Sequence, residues 1–342
     1  MLRLRNFRTG AAIVLVFLCV GQNVRPAEFS LKLSGGAAWL DGGDFNRSIR
    51  GWKDYYQDRK SSSFSSSYGL KELRTILEAQ AELAVRFSPR WSVGLAVGII
   101  PGTTSGEVST LLSDEEAYTL LSGEAGTIFL TEESARLLRY EIRAVPVLLT
   151  VYRSFPLRDN LELSLGVGGG LYLGRYACRD EYLYYLDYSD TQNTAGEPVR
   201  YFDLYELSGE YREKASARAF GAHGLVGLEY RISPSLAVTF EVVGRWAGLD
   251  DWRGEKTDAY EWSQTWGFGA GFSEEGEYED SAEGKLWRVD ARSELTLKTY
   301  PRLVFGADEP AASSNSNIRP ARINLGGVSA RIGFRFQFGE RH

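Results

Sequence analysis

"LELSLGVGGGLYLG", residues 161–174, carries five glycines, and its reading decides the fold. A dinucleotide-binding loop needs glycines at relative positions 1, 3 and 6 ahead of a helix. Counting from Gly166 or Gly168, the sixth position holds Leu171 or Leu173. A Walker loop needs Gly-Lys-Ser/Thr, and no lysine stands nearby. The run alternates instead. Leu161, Leu163, Leu165, Val167, Leu171 and Leu173 share one face; Glu162, Ser164, Gly166, Gly168, Gly170, Tyr172 and Gly174 share the other. Successive strand side chains point to opposite faces, so this is a long β-strand with one apolar and one small or polar side. Glycine weakens a strand interior, so its use here implies crowding on that side.

The same alternation recurs along the chain. Phe29, Leu31, Leu33, Ala37 and Trp39 oppose Glu28, Ser30, Lys32 and Ser34, and Leu77 to Phe87 oppose Glu78, Gln80, Glu82 and Arg86. Similar runs begin at Trp91, Phe220, Leu236 and Val328, and the segment 140–153, apolar on both faces near Val145–Leu149, completes the set. Eight strands are expected, at about 28–40, 71–87, 91–102, 139–153, 161–176, 215–232, 236–246 and 321–338. Three connections are short and contain proline: Ser88-Pro89-Arg90, 154–160 and Ser233-Pro234-Ser235. Four are long (41–70, 103–138, 177–214 and 247–320) and are expected to be loops carrying function, the last with extra strand-like pieces around Leu286–Leu297.

Before these strands, residues 1–27 place Arg3, Arg5 and Arg8 ahead of an apolar run, Ala11–Val20. That pattern is expected to be a secretory signal, being too short to span a membrane. Its removal takes four arginines and no acid from a chain of net charge −6, leaving an acidic exported protein for which nucleic acid is not an expected partner. Cys178 would then be a lone free thiol.

Alternation does not say which face is inside. A soluble exported barrel would bury the apolar face; a membrane barrel turns it to lipid and packs the polar face within. Three features favour the second. The polar faces hold Glu78, Glu82, Arg86, Glu141, Arg143, Glu229, Glu241, Arg245, Arg331 and Arg335, mixed in sign and expected to pair in the lumen. Aromatics sit at strand ends on the apolar face, Trp39 and Trp246 at one end and Phe87, Trp91, Tyr230 and Phe338 at the other, where interfacial girdles belong. Short turns alternate with long connections, as in outer-membrane barrels. The expectation is an all-β, eight-stranded, antiparallel up-and-down transmembrane β-barrel over 28–338, monomeric, with short periplasmic turns, long extracellular loops and a tail at 339–342.

With "VPVLLTVYRSF" at 145–155, "LGVGGGLYLG", "FGAHGLVGLEYRISPSL" at 220–236 and the closing "GFRFQF", the chain resembles the OmpW/OmpA-like superfamily of small bacterial outer-membrane barrels. That resemblance implies residence in the outer membrane, insertion by the barrel-assembly machinery, contact with membrane lipids, and passage of small apolar molecules. It implies no cofactor and no metal.

Chemistry is sparse in the sequence. His223 lies on the polar face near Glu229, and could serve a lipid A acyl hydrolase or transferase only with a serine nucleophile and an orienting carboxylate in reach. Ser164 and Ser216 have no distinguishing spacing. The expectation is therefore a non-enzymatic envelope protein, with a lipid-modifying enzyme or a soluble barrel as alternatives. "CRDEYLYYLDYSD" at 178–190, with Tyr201 and Tyr205, is the candidate surface for an unidentified extracellular ligand. "EEGEYEDSAEG" at 274–284 lacks the oxygen spacing of a calcium loop.

Overall fold

The structure, a computed structural model, describes residues 28–61, 63–119, 125–193, 199–268 and 270–338; the expected signal segment and C-terminal tail lie outside them. In chain order the elements are β1 (Glu28–Leu40), α1 (Asp44–Asp58), β2 (Phe64–Tyr68), β3 (Thr75–Ser88), β4 (Trp91–Thr119), β5 (Ala125–Arg158), β6 (Leu161–Asn193), β7 (Val199–Ser233) and β8 (Leu236–Trp246). There follow β9 (Gly248–Leu249), β10 (Arg253–Phe268), β11 (Ala270–Arg292), β12 (Thr299–Gly306), β13 (Asn315–Pro320), β14 (Ile323–Asn324) and β15 (Gly327–Phe338).

Every pairing is antiparallel. β1, β3, β4, β5, β6, β7, β8 and β15 pair in that order, and β15 returns to β1 through Leu33↔Phe334 and its neighbours, so the ring closes. The main sheet nevertheless contains thirteen strands, so eight is not the full count. β2 hangs on β4, β10 on β7, β11 on β10, and β12 and β13 on β11.

These additions correct the expected loops. The connections at 103–138 and 177–214 are strand: β4 pairs with β5 out to Thr119↔Ala125, and β6 with β7 to Gln192↔Val199. At about 3.3 Å per residue, the part of β5 before Val145 runs some 65 Å past the ring's apolar zone. Alternating hydropathy fades there because neither face meets lipid, while the backbone pairing continues. The turn expected at 154–160 is also tighter, with β5 persisting to Arg158 and only Asp159–Asn160 turning.

A helix was not foreseen. α1 buries Phe45, Ile49 and Tyr56, spaced four and seven residues apart, in the mouth of the ring between the edges formed by β2 and β12. Its fixings are polar. The buried Asp44 carboxylate accepts two hydrogen bonds from Arg319, each 2.7 Å, and one from the Arg322 amide at 2.8 Å. Asn46 exchanges a pair with the Leu73 backbone at 2.9 and 3.0 Å.

Around the ring the apolar face points outward. Leu33, Leu95, Leu165, Phe240 and Phe334 are 43–54% exposed, while Lys32, Glu82 and Arg335, on the opposite face, are 1–8% exposed. A soluble barrel would require the reverse. Gly168 now has its reason: a Cβ there would lie 2.1 Å from the Leu149 carbonyl oxygen and 2.8 Å from the His223 ring. At Gly94 it would strike the Glu82 carboxyl at 2.8 Å, so the missing side chain makes room for a buried acid.

Leu165 and Leu183 both face outward on β6, one in the apolar zone and one beyond it. Leu165→Arg is expected to cost about 2–4 kcal/mol in urea titrations of folding into lipid vesicles, and Leu183→Arg close to nothing. Equal costs at the two positions would contradict this placement of the lipid zone.

Candidate functional site

The lumen of the ring is filled by ion pairs. Lys32 Nζ lies 2.6 Å from Glu241 Oε1 and 3.2 Å from Glu82 Oε2, and the Tyr152 hydroxyl donates to Glu82 at 2.5 Å. Nearer the extension, Glu78 takes Arg331 at 2.5 Å and Arg245 at 2.9 Å, and Arg331 also donates to Gln80. Towards the short turns, Arg335 meets Glu229 at 2.5 Å and Arg86 meets Glu162 at 2.6 Å. Five cations thus face five carboxylates in an interior that side chains fill. In such surroundings an unpaired charge is costly, so the balance is a condition of folding.

Eight of the ten residues expected to line the lumen lie there. Glu141 and Arg143 do not: they pair with each other on the outer surface, with Arg143 mostly exposed. The inward residues of this part of β5 are Ile142, Ala144, Leu148 and Tyr152. Apolar residues on both faces at 145–149 concealed this parity. Lys32 and Glu162 were missed as charge partners, although each shares its polar face with residues that were counted. All six expected girdle aromatics, Trp39, Phe87, Trp91, Tyr230, Trp246 and Phe338, are exposed at 41–68%, and Phe338 stands opposite Phe29 beside the short turns.

His223 is buried inside, its Nε2 2.9 Å from the Thr150 hydroxyl. No serine or carboxylate completes a relay with it among the described contacts.

Above the lumen, α1 forms the floor of a second region. A cavity of about 650 Å³ opens between the helix and the inner faces of β5, β6, β7, β10 and β12. The Arg302 guanidinium lies 3.9 Å from the Trp52 ring centroid, Trp52 stacks on Tyr56, and Arg136 forms an ion pair with Asp180. Tyr182 and Tyr184, from the stretch read as a loop, stand on strand β6 facing this space. Tyr184 meets Tyr205 edge-on at 6.0 Å, and Tyr205 stacks on Trp262 at 6.4 Å, continuing the aromatic surface upward.

At the base of the cavity the Glu213 carboxylate accepts from Tyr176 at 3.0 Å and Tyr211 at 2.5 Å. Burial pushes its pKa above the usual glutamate range despite these two donors and the nearby Lys256, and Asp180 pushes the same way. Cys178 beside it is a buried free thiol on β6, its pKa raised well above the ordinary value by burial and then by Glu213 and Asp180. Burial likewise keeps the Tyr140 and Tyr176 hydroxyls protonated. The acidic stretch 274–284 runs along β11, and among the described residues no group of three or more His, Cys, Asp or Glu gathers to hold a metal.

A closed ring with lipid-facing aliphatics, a neutralised lumen and an extension beyond one rim defines an integral membrane β-barrel of the outer-membrane type. No protein-family model matches the chain, and no curated protein matches it. Among solved structures, the crystal structure of the outer membrane protease OmpT from Escherichia coli is similar over 91% of this chain and 96% of that one, at 10% identity and a TM-score of 0.25. The expectation of a non-enzymatic chain is corrected on that finding, since the similar protein is a protease. At so low a TM-score no residue role or substrate passes to this chain.

Two measurements follow from this geometry. Lys32→Met leaves Glu82 and Glu241 facing each other unneutralised and is expected to cost about 3–5 kcal/mol in vesicle-refolding titrations; adding Glu82→Gln and Glu241→Gln should recover most of that loss. For Glu213 the sign is set by its raised pKa. The unfolded chain ionises first, so stability falls as pH rises from about 4.3 through the folded-state value. Glu213→Gln should remove that fall, matching wild type near pH 4 and exceeding it near pH 7 in thermal unfolding in detergent. Parallel pH profiles would show that Glu213 is not the titrating group.

Proposed function

We propose that this chain is a lumen-closed outer-membrane β-barrel whose working part is the extramembrane sheet, with the aromatic cavity above α1 receiving an extracellular ligand. The observation that carries this reading is the five-against-five pairing of lumen charges beneath a helix seated in the mouth. That stack leaves no route along the axis, so the ring serves as an anchor. Binding then falls to the part above it, where Trp52, Arg302, Tyr182, Tyr184 and Tyr211 line a space of small-ligand size.

Tyrosine and tryptophan offer broad amphipathic contact at little entropic cost, which suits a ligand with flat apolar faces. The OmpW/OmpA-like membership rests on the quoted sequence stretches and belongs to this reading, as do a monomeric state, contact with outer-membrane lipids and insertion by the assembly machinery. His223 has no place in it, because its described hydrogen-bond contact is Thr150 and neither a serine nor a carboxylate.

Expression of the full chain in a bacterium with two membranes tests the reading. The protein is expected in the outer-membrane fraction, to need detergent for release, and to migrate faster unheated than boiled in gels. In planar bilayers it should give no large steady conductance. Release without detergent would refute membrane residence, and a steady open channel would refute the closed lumen.

A further inference from the structure

Three guanidinium groups gather around two rings of α1, and only one of them meets an acid. Arg302, from β12, lies 3.9 Å from the Trp52 ring centroid and 4.8 Å from that of Tyr55. Arg136, from β5, lies 6.0 Å from the Trp52 centroid, and Arg59 lies 5.5 Å from the Tyr55 centroid. All three line the cavity above the helix. Arg136 is paired with Asp180. Arg59 donates to the Tyr55 hydroxyl at 3.1 Å and has no carboxylate partner among the described residues.

Arg302 is the least satisfied of the three. Its guanidinium donates no hydrogen bond to any described residue, and its Nε is buried without an acceptor. The neighbouring acids are committed elsewhere. Val289 stands opposite Arg302 on β11; Asp290, the next residue, projects to the other face, where Arg288 and Asn317 hold it. Asp58, at the end of α1, is taken by Lys298 and Tyr300. Among the acids lining the cavity, Asp258 accepts from Tyr182 and Glu213 from Tyr176 and Tyr211, while Glu132 lies further out along β5, beside Tyr184. Burial lowers the Arg302 pKa from its ordinary value, and the Arg136 charge pushes the same way. A guanidinium stacked on rings keeps its in-plane N–H donors, and their fork matches the paired oxygens of a carboxylate or phosphate. Beyond that fork the wall is apolar and aromatic, with Leu138, Tyr140, Leu183, Leu303 and Phe305. A bare inorganic anion would leave this wall uncovered.

We propose that the cavity takes an organic anion, its carboxylate or phosphate group held by Arg302 and its aromatic body lying against Tyr140, Leu183 and Leu303. This rests on the reading of the cavity as a binding site and names the chemical class of its ligand. The anion answers Arg302 and eases the mutual repulsion of Arg302, Arg136 and Arg59.

The full chain in nonionic detergent is titrated calorimetrically with naphthoate, naphthyl phosphate and naphthamide, the last a neutral probe of similar shape. Wild type is expected to bind one of the two anions at least about tenfold more tightly than the amide, the scale of a hydrogen bond to a charged group. The tighter of the two identifies the head group. Arg302→Met should lose that preference and keep its affinity for naphthamide. It should melt no lower than wild type, because it removes a desolvated cation that has no acid partner. Arg302→Lys, which keeps the charge but not the fork, should retain only part of the preference. Arg253→Gln, an exposed arginine outside the cavity, should retain all of it. Equal affinity of wild type for the anions and the amide would overturn the inference and leave the cavity a site for neutral ligands. So would an unchanged preference in Arg302→Met, an equal loss in Arg302→Met and Arg253→Gln, or binding of inorganic phosphate as tight as that of naphthyl phosphate. Failure of all three naphthyl probes to bind wild type would remove the cavity reading and the inference with it.

Discussion

Lys32 between Glu82 and Glu241 is the contact on which the rest of this molecule depends. Eight strands enclose a space just wide enough for side chains, so nothing with water's dielectric can screen what points inward. The ring cannot carry an apolar core, since its apolar faces are committed to lipid. Each inward charge must therefore find its opposite on another strand: β1 supplies Lys32, β3 Glu82 and β8 Glu241. Such a triad adds little net stability over an apolar filling, but it is unforgiving of wrong register. A one-residue slip of any of these strands would turn its charge into lipid, so the pairing fixes the shear of the barrel as well as filling it.

Much of this was legible in the sequence because two periodicities coincide in the lipid zone. Outward residues must be apolar and inward ones small, polar or charged, so residues 161–174 or 236–246 announce both the strand and its facing. The reading failed wherever one demand lapsed. On β5 the inward residues at the rim are Ile142, Ala144 and Leu148, which belong to the same buried cluster as Phe45 and Ile49 of α1, so the inside is apolar too and Glu141 and Arg143 were assigned to the wrong face. Beyond the rim neither face meets lipid, and β4 to β7 continue as strands with no hydropathic signature. A stretch such as Glu107–Thr119 then looks like a loop.

The helix was hidden for a related reason. Phe45, Ile49, Trp52 and Tyr56 have helical spacing, but in a chain already read as hairpins they fall inside an expected loop, and Gly51 breaks the run. That glycine is required by proximity. A Cβ on it would lie 2.1 Å from the Pro301 carbonyl oxygen, because α1 lies directly on β12. The aromatic cavity was half legible: its tyrosines stood out by composition, whereas Arg302 and Trp52 come from segments more than two hundred residues apart and only the fold joins them.

The two halves of the molecule obey opposite rules for burying charge. In the ring, Lys32, Arg86, Arg245, Arg331 and Arg335 each meet a carboxylate within a few ångströms. In the cavity above, Glu213 is buried with two tyrosines as its hydrogen-bond donors and no direct cation, and Arg302 lies over aromatic rings rather than against an acid. Incomplete neutralisation of this kind makes folding less favourable. A protein selected for rigidity alone would have paired these groups as it paired Lys32. Their condition separates a ring whose charges are answered within it from a mouth in which Glu213 and Arg302 have no ion-pair partner among the described residues.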